Sequence, residues 1–532
     1  MRLSLSWMFM HTALIIIVIA NLLTGLRIAA VHRPEVMIFS AFLPQGSLHS
    51  LHFTLGVSLF TLSLVYIFYR LYARRILQQE KHVKRQNRYH KFIILLGHTC
   101  LGVLLLSGGC LYLGIFPSDF SLNSHYFSAV ILLVYIPLHA GSYFVQYGNK
   151  VFFSIFITSD KADKANLIFM LGSIMLGLVL FFYLAKKAPQ PLIVHPIDIS
   201  EYIKIDGYAN EKIWAGIKPQ VVHTFGGENF NNGSTDVRVR VVQNKIEAFF
   251  SISWDDTSQS MNHLPLHKTT KGWQVLENGF YNFDEKTYYE DKFAVIISNN
   301  CDFAAAGTAH LGPKPLADKP ANWHGKGYHY TSDKNSSDQA NRKQNIVDLW
   351  QWKAVRTNNM ILMDDNFIGE PAKVLDGNRR YTAGYQKDAK ESGAYVMNWQ
   401  WYKPNGVVPK RIPKDTSEMQ IMKNKVVDDK LFSVLPWDDT KPYSAEHDTF
   451  ALGTTLSSVL YRSNRFEGDR ADVRAFARWH DGQWSLELSR KLVTTSEYDI
   501  PLQENVCLWF AAFDHSQTAH TRHVRPLQLK FK

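Results

Sequence analysis

Cysteine is scarce, with four in 532 residues, too few for a disulfide scaffold. No Cys-x-x-Cys-His segment occurs, which argues against a covalently attached c-type haem, and no Cys-x-x-Cys pair of zinc-site type is found. A Gly-rich phosphate loop, a nucleophile elbow and an HExxH helix are also missing. Acids are rare in the first third. Up to Lys187 there are 16 Lys+Arg against 5 Asp+Glu; the whole chain carries 58 against 47, so the remainder holds 42 of each and is neutral. The positive excess therefore sits wholly in the apolar part, and no nucleic-acid partner is expected.

What that part does contain is apolar runs. Five follow one another, roughly Trp7 to Ile28, Leu48 to Phe68, Phe92 to Phe116, Tyr126 to Tyr147 and Ala165 to Leu184, each close to the ~20 residues that cross a hydrocarbon core as a helix. The first is long, lacks a small-x-small cleavage site and is followed by four more, so it reads as a retained span rather than a signal peptide. Between spans two and three lie Arg70, Arg74, Arg75, Lys81, Lys84, Arg85, Arg88 and Lys91 against Glu80, and the next loop on that side carries Lys150, Lys161 and Lys164. These basic loops belong in the cytoplasm. Five spans from a cytoplasmic N-terminus then place everything after Lys187 in the periplasm of a bacterium.

Ionisable residues inside spans are costly and usually functional. His11, His49, His52, His98, His125 and His139 lie in or at the ends of these runs. His125 and His139 are 14 residues apart on one span, close to four helical turns, so they share a face about 21 Å apart. By depth His11 pairs with His139 and His52 with His125. Each pair suits one haem iron between two neutral imidazoles. His49, about one turn before His52, is an alternative ligand. His98 reads as a packing residue, and Cys100 and Cys110 as small buried hydrophobes. His11 with the LLTGLRI run, HSLHF, and HYFSAVILLVYIPLHAG resemble the di-haem cytochrome b subunits of formate dehydrogenases and nickel hydrogenases. The resemblance implies two b haems and exchange of electrons with quinone in the membrane lipid.

The Pro-rich segment 188–196 reads as a linker between a transmembrane domain, 1–187, and an outer domain, 197–532. Beyond it the hydrophobic period becomes two: Val237, Val239 and Val241; Ile246, Ala248, Phe250, Ile252 and Trp254; Ala475, Ala477 and Trp479, then Asp481-Gly482, then Trp484, Leu486 and Leu488. Asp-Gly between alternating runs predicts a hairpin. FAVIISN and NVCLWFAAF read as buried strands. The fold class is thus a membrane all-α bundle of about five spans followed by a soluble all-β sandwich, antiparallel and with long loops. The stretch 304–345, with His310, His324 and His329, lacks periodicity. Cys507 reads as core. Cys301 and His310 are too few ligands for a zinc site.

Met261, His263 and His267, then His515, His520 and His523, cluster in two segments. SISWDDTSQS, YYEDKFAVIIS, VDLWQWKAVR with DDNFIG, RWHDGQWSLELSRKL and FAAFDHSQTAH resemble, in order, the haem-binding domain of the ethylbenzene dehydrogenase and dimethyl-sulfide dehydrogenase type. That resemblance implies a sandwich holding one b haem, whose axial ligands in the dehydrogenase subunits are a Met and a Lys. Here Met261 or His263 would serve on one side and His520, with His523 next, on the other; Lys353 would be a ligand, a propionate partner or a solvated lysine. The whole reads as a membrane-bound b-type cytochrome, quinol-oxidising or quinone-reducing, linking the quinone pool to a periplasmic redox protein or oxidoreductase subunit. No residue set points to turnover of another substrate. The alternative is a cytochrome b anchor carrying a haem-free ligand- or carbohydrate-binding sandwich.

Overall fold

The computed structural model describes residues 5–30, 33–40, 42–46, 48–77, 88–115, 118–149, 164–186, 189–279, 285–299, 301, 309–310, 328–329, 346–368, 385–388, 394–403, 406–415, 434–463 and 465–532. The chain divides into two compact units at Pro189–Gln190.

The first unit is helical: α1 (Leu5–Ala29), α2 (Leu48–Leu77), α3 (Arg88–Leu113), α4 (Ser118–Tyr147) and α5 (Lys164–Lys186). Four stretches, Trp7–Ala29, Leu48–Tyr69, Arg88–Leu113 and Phe120–Gln146, are long and apolar enough to cross a bilayer. The expectation of five spans is corrected here. In α5 the qualifying apolar stretch among the described residues is Ile174–Leu184, which lies inside a helix of 23 residues. Helix α1 packs along α2, α3 along α4, and α5 along α2. Small residues permit close crossings: a Cβ on Gly97 of α3 would collide with the Tyr135 ring of α4.

The second unit is a β-sandwich made from one folded sheet. Its strands are β1 (Gln190–Pro196), β2 (Gln220–Phe225), β3 (Ser234–Gln243), β4 (Glu247–Asp255), β5 (Lys292–Ser298), β6 (Val347–Lys353), β7 (Asp364–Ile368), β8 (Tyr385–Lys387), β9 (Arg474–His480), β10 (Gln483–Lys491), β11 (Cys507–Phe513) and β12 (Leu527–Phe531). The order is 8-7-6-5-11-12-1-3-4-10-9, with β2 on β3. The two halves face each other across an aromatic core: Trp254 against Phe293 (4.7 Å between ring centres), Phe250 against Trp350 (6.1 Å) and Trp352 against Trp484 (4.8 Å). The alternating valines of β3 and the leucines of β10 point into this core. The Asp481-Gly482 turn has positive φ at both residues, the geometry a two-residue hairpin requires.

Two expectations are corrected by the sheet. Gln190–Pro196 is not a linker: as β1 it pairs in parallel with both β12 and β3 and joins the two halves. Its prolines sit at position two and at the end of the strand, where a missing N–H is tolerated. Ile246 is exposed in the turn before β4 and does not begin the alternation. Cys507 is buried in its strand as expected and also forms a disulfide with Cys301. The free cysteines among the described residues are Cys100, buried, and Cys110, half-buried.

Candidate functional site

In the helical unit, His52 of α2 and His125 of α4 face one another with ring centres 6.2 Å apart and planes at 88°. An imidazole nitrogen bonds a transition metal at about 2 Å and the ring centre lies about 1 Å further on, so two imidazoles on one iron have centres about 6 Å apart. Both rings are held by their other nitrogen. His52 Nδ1 is 2.9 Å from Thr24 Oγ1, and His125 Nδ1 is 3.0 Å from Ser107 Oγ and 3.2 Å from the Leu104 carbonyl oxygen. Such tethers fix a ligand ring and leave Nε2 for the metal. Glycines make room for the rings: a Cβ on Gly25 would lie 3.0 Å from His52, and one on Gly108 3.3 Å from His125. His49 takes no part in this facing pair.

Further along α4, His139 Nδ1 is 3.0 Å from Tyr135 Oη, and the Tyr143 ring lies 5.1 Å away. His11 stacks on Trp7 at 4.5 Å, its Nδ1 buried without a hydrogen-bond partner among the described residues. His11 and His139 are within electrostatic reach of each other. His98 is exposed and bonded to its own helix at the Ile94 carbonyl oxygen, 2.6 Å. Two residues escaped sequence reasoning. His90 is buried beside Tyr143, 4.7 Å between rings. Arg27 is buried near the end of α1, with Nε donating to Gln45 Oε1 at 3.1 Å. The signal for Arg27 was available, since a cation inside LLTGLRI has to be accommodated.

In the sandwich, the candidates occupy two places. His520 lines an apolar cleft with Ala294, Ile296, Leu349 and Phe513; its Nδ1–H donates to the Thr521 carbonyl oxygen, 2.7 Å. His263 is buried 3.1 Å from Glu290 and against the Tyr289 ring. The two histidines are linked through Tyr289, Lys292 and Phe513 rather than facing each other. Lys292 Nζ lies 4.9 Å from the Tyr289 ring and 3.9 Å from the Phe513 ring, and His520 packs on Phe513 at 4.9 Å. Met261 bridges to Glu290 and packs between two apolar clusters. His523 is a weaker candidate than its type suggests, because both ring nitrogens are used. Nε2 accepts the Phe510 N–H at 2.9 Å and Nδ1–H donates to the Arg525 carbonyl oxygen at 2.7 Å. His267 is half-buried on a small outlying sheet. His324 lies outside the described residues, and only the backbone of His310 and His329 is described.

A buried ionic network surrounds these residues. Arg356 pairs with Glu290, while Lys353 and Arg470 both pair with Asp364, the latter at 2.6 Å. Burial pushes the Glu290 and Asp364 carboxyls up, but their cationic partners outweigh it and hold both well below the usual range. Burial lowers Lys353 to about 8 and drives Lys292 well below the usual lysine range. Lys353, Arg356 and Arg470 set against Glu290 and Asp364 leave one cation in excess, and Lys292, whose charge burial disfavours, lies beside them. A buried surplus of that kind suits an anionic group, as a haem propionate provides.

Burial lowers His523 to about 4, so it is neutral in the folded domain, whereas an unfolded histidine takes up a proton near pH 6.5. A folded value below the unfolded one means that its contribution is present above pH 6.5 and lost as pH falls toward 4. The stability advantage of wild type over His523→Gln, read from Tm, is therefore expected to shrink by about 2 kcal/mol between pH 7 and pH 4.5. An unchanged difference would contradict this.

Residues 211–525 match the ethylbenzene dehydrogenase family, and residues 2–156 match the prokaryotic cytochrome b561 family. No curated protein matches the chain. Among solved structures, a family 9 carbohydrate-binding module from Caldicellulosiruptor kristjanssonii is similar in its glucose and cellotriose complexes, at 7% and 8% identity. These matches cover 64% of this chain and 95% and 94% of theirs, with TM-scores of 0.24 and 0.23.

Proposed function

We propose, for a chain that belongs to the ethylbenzene dehydrogenase family and whose N-terminal part is a prokaryotic cytochrome b561, a relay of electrons between the quinone pool and a redox partner in the periplasm. The cytochrome part makes this a bacterial membrane protein that carries b-type haem and transfers electrons. The relay has three haems in this reading, two in the helical unit and one in the sandwich. A bound haem supplies one-electron exchange at its iron. The chain supplies ligands, burial and orientation.

The facing pair of His52 and His125, at the spacing two axial imidazoles require, carries the reading. Thr24 and Ser107 hold these rings, and Tyr135 does the same for His139, the proposed partner of His11. Arg27 is suited to a propionate. In the sandwich His520 is the favoured ligand, with Met261 and His263 as candidates for a second, while the surplus cation suits a propionate. Lys353 would serve an iron only if released from Asp364. The Cys301–Cys507 disulfide fits an oxidising compartment; a periplasmic sandwich needs an odd number of crossings, and α5, with 23 residues or about 34 Å of helix, would make the fifth. Electrons would pass to, or arrive from, a soluble redox protein or an oxidoreductase subunit.

Haem content per chain and a low-temperature spectrum test this reading. Three b haems are expected. Two would remove the outer haem and favour a haem-free binding module there. The orientation is tested separately: alkaline phosphatase fused after Lys187 is expected to be active, and an inactive fusion would put the sandwich in the cytoplasm.

A further inference from the structure

Two clusters of buried carboxylates lie apart from the histidine candidates, and they differ in how their oxygens are used. In the first, Asp291 accepts hydrogen bonds from the Ser260 N–H at 2.7 Å, the His515 N–H at 2.8 Å and the Trp484 indole at 3.2 Å. Asp514 accepts from the Ser258 hydroxyl at 3.2 Å and pairs with the His515 ring. This cluster ties loops to the sheet.

The second consists of Asp348 on β6, Asp365 on β7 and Asp499 in the segment before Ile500. Trp350 is opposite Asp365 and Phe367 is opposite Asp348 in the antiparallel register, so both carboxylates share the inward face with Trp350. Tyr498 stacks on Phe367 with ring centres 4.0 Å apart, which brings the neighbouring Asp499 to the same spot. One oxygen from each acid lies within 4.8 Å of the others. Asp365 is fully buried, and both its oxygens lack a hydrogen-bond partner among the described residues; Asp348 Oδ1 is also buried and without one. The charged groups facing them are Arg490, 2.6 Å from Asp348 and 3.6 Å from Asp499 Oδ2, and the buried carboxyl of Asp388, which meets Asp499. With Asp388, four carboxyl groups meet one guanidinium in this interior.

We propose that Asp348, Asp365 and Asp499 form a binding site for one calcium ion. Uncompensated buried carboxylates are costly, and Asp365 has nothing else to bind. All the donors are hard oxygens, which excludes a site of the soft-metal type. Ligands on opposite sides of a calcium ion, at about 2.4 Å each, stand at most about 4.8 Å apart. Calcium accepts irregular, largely protein-made cages, whereas magnesium keeps several waters and suits this packed interior poorly. Without an ion, burial and then Asp348 push Asp365 well above the usual carboxylate range.

The test uses the full-length detergent-solubilised protein, freed of divalent ions with EGTA and then titrated with calcium chloride. One calcium per chain by elemental analysis is expected, with Tm rising by about 4 °C at a hundredfold excess over Kd. Asp365→Asn should lose the calcium response and, with one unpaired charge fewer, raise the Tm of the ion-free protein. Asp499→Asn provides a second variant should the first not fold, with the same loss of response. No bound calcium and no shift in wild type, an undiminished shift in the variants, or a response to magnesium alone would overturn the assignment.

Discussion

Replacing His125 by alanine is expected to remove one haem from the membrane unit while the protein remains inserted. The loss should be close to complete for that site, since the two rings 6.2 Å apart would be reduced to one and a lone imidazole holds a b haem weakly. A pyridine haemochrome assay reads the stoichiometry, and an unchanged haem count would reject the ligand. Replacing Ser107 by alanine should be milder, about 10–100-fold in haem affinity, because it removes only the tether on Nδ1. Replacing His98, whose ring is bonded to its own helix, should leave the count unchanged. The three variants together separate a ligand, a positioning residue and a bystander.

The second large effect is expected in the sandwich. Arg490 on β10 reaches Asp348 across the core, and both are fully buried. Arg490→Met keeps the aliphatic volume but strands Asp348 and Asp499 together, and should cost about 3–5 kcal/mol. Urea unfolding followed by tryptophan fluorescence measures it. A loss under 1 kcal/mol would mean that the carboxylates are neutralised some other way. Asp365→Asn should act in the opposite direction in ion-free protein, which makes the pair a sensitive report on the charge balance of that interior.

Most of the architecture was legible because it rests on periodicity. Apolar runs gave the spans, and alternation gave β3, β4 and β10, since burial on one face of a strand forces a period of two. The membrane histidines were legible for a related reason: an imidazole within an apolar run needs a purpose, and fourteen residues put His125 and His139 on one helical face. What escaped depended on contacts distant in sequence. Proline content made β1 look like a linker because its pairing partners, β3 and β12, lie well downstream and nothing local announces them. Cys301 and Cys507 are separated by 206 residues, and cysteines that far apart carry no spacing signal. For the outer ligands, residue type was a poor guide. His523 has the right chemistry, but backbone groups occupy both nitrogens, and only three-dimensional contacts reveal that.

The position of β1 has a consequence for synthesis. Three residues separate the last helix from the first strand of the sandwich, so β1 leaves the ribosome ahead of every other outer strand. One of its two neighbours, β12, spans Leu527–Phe531, more than 300 residues later. At ~5–20 residues per second, that strand follows tens of seconds later. Until then the edge of β1 that will receive it stays open, so a nascent chain that has not yet reached β12 has an almost complete sandwich that cannot close.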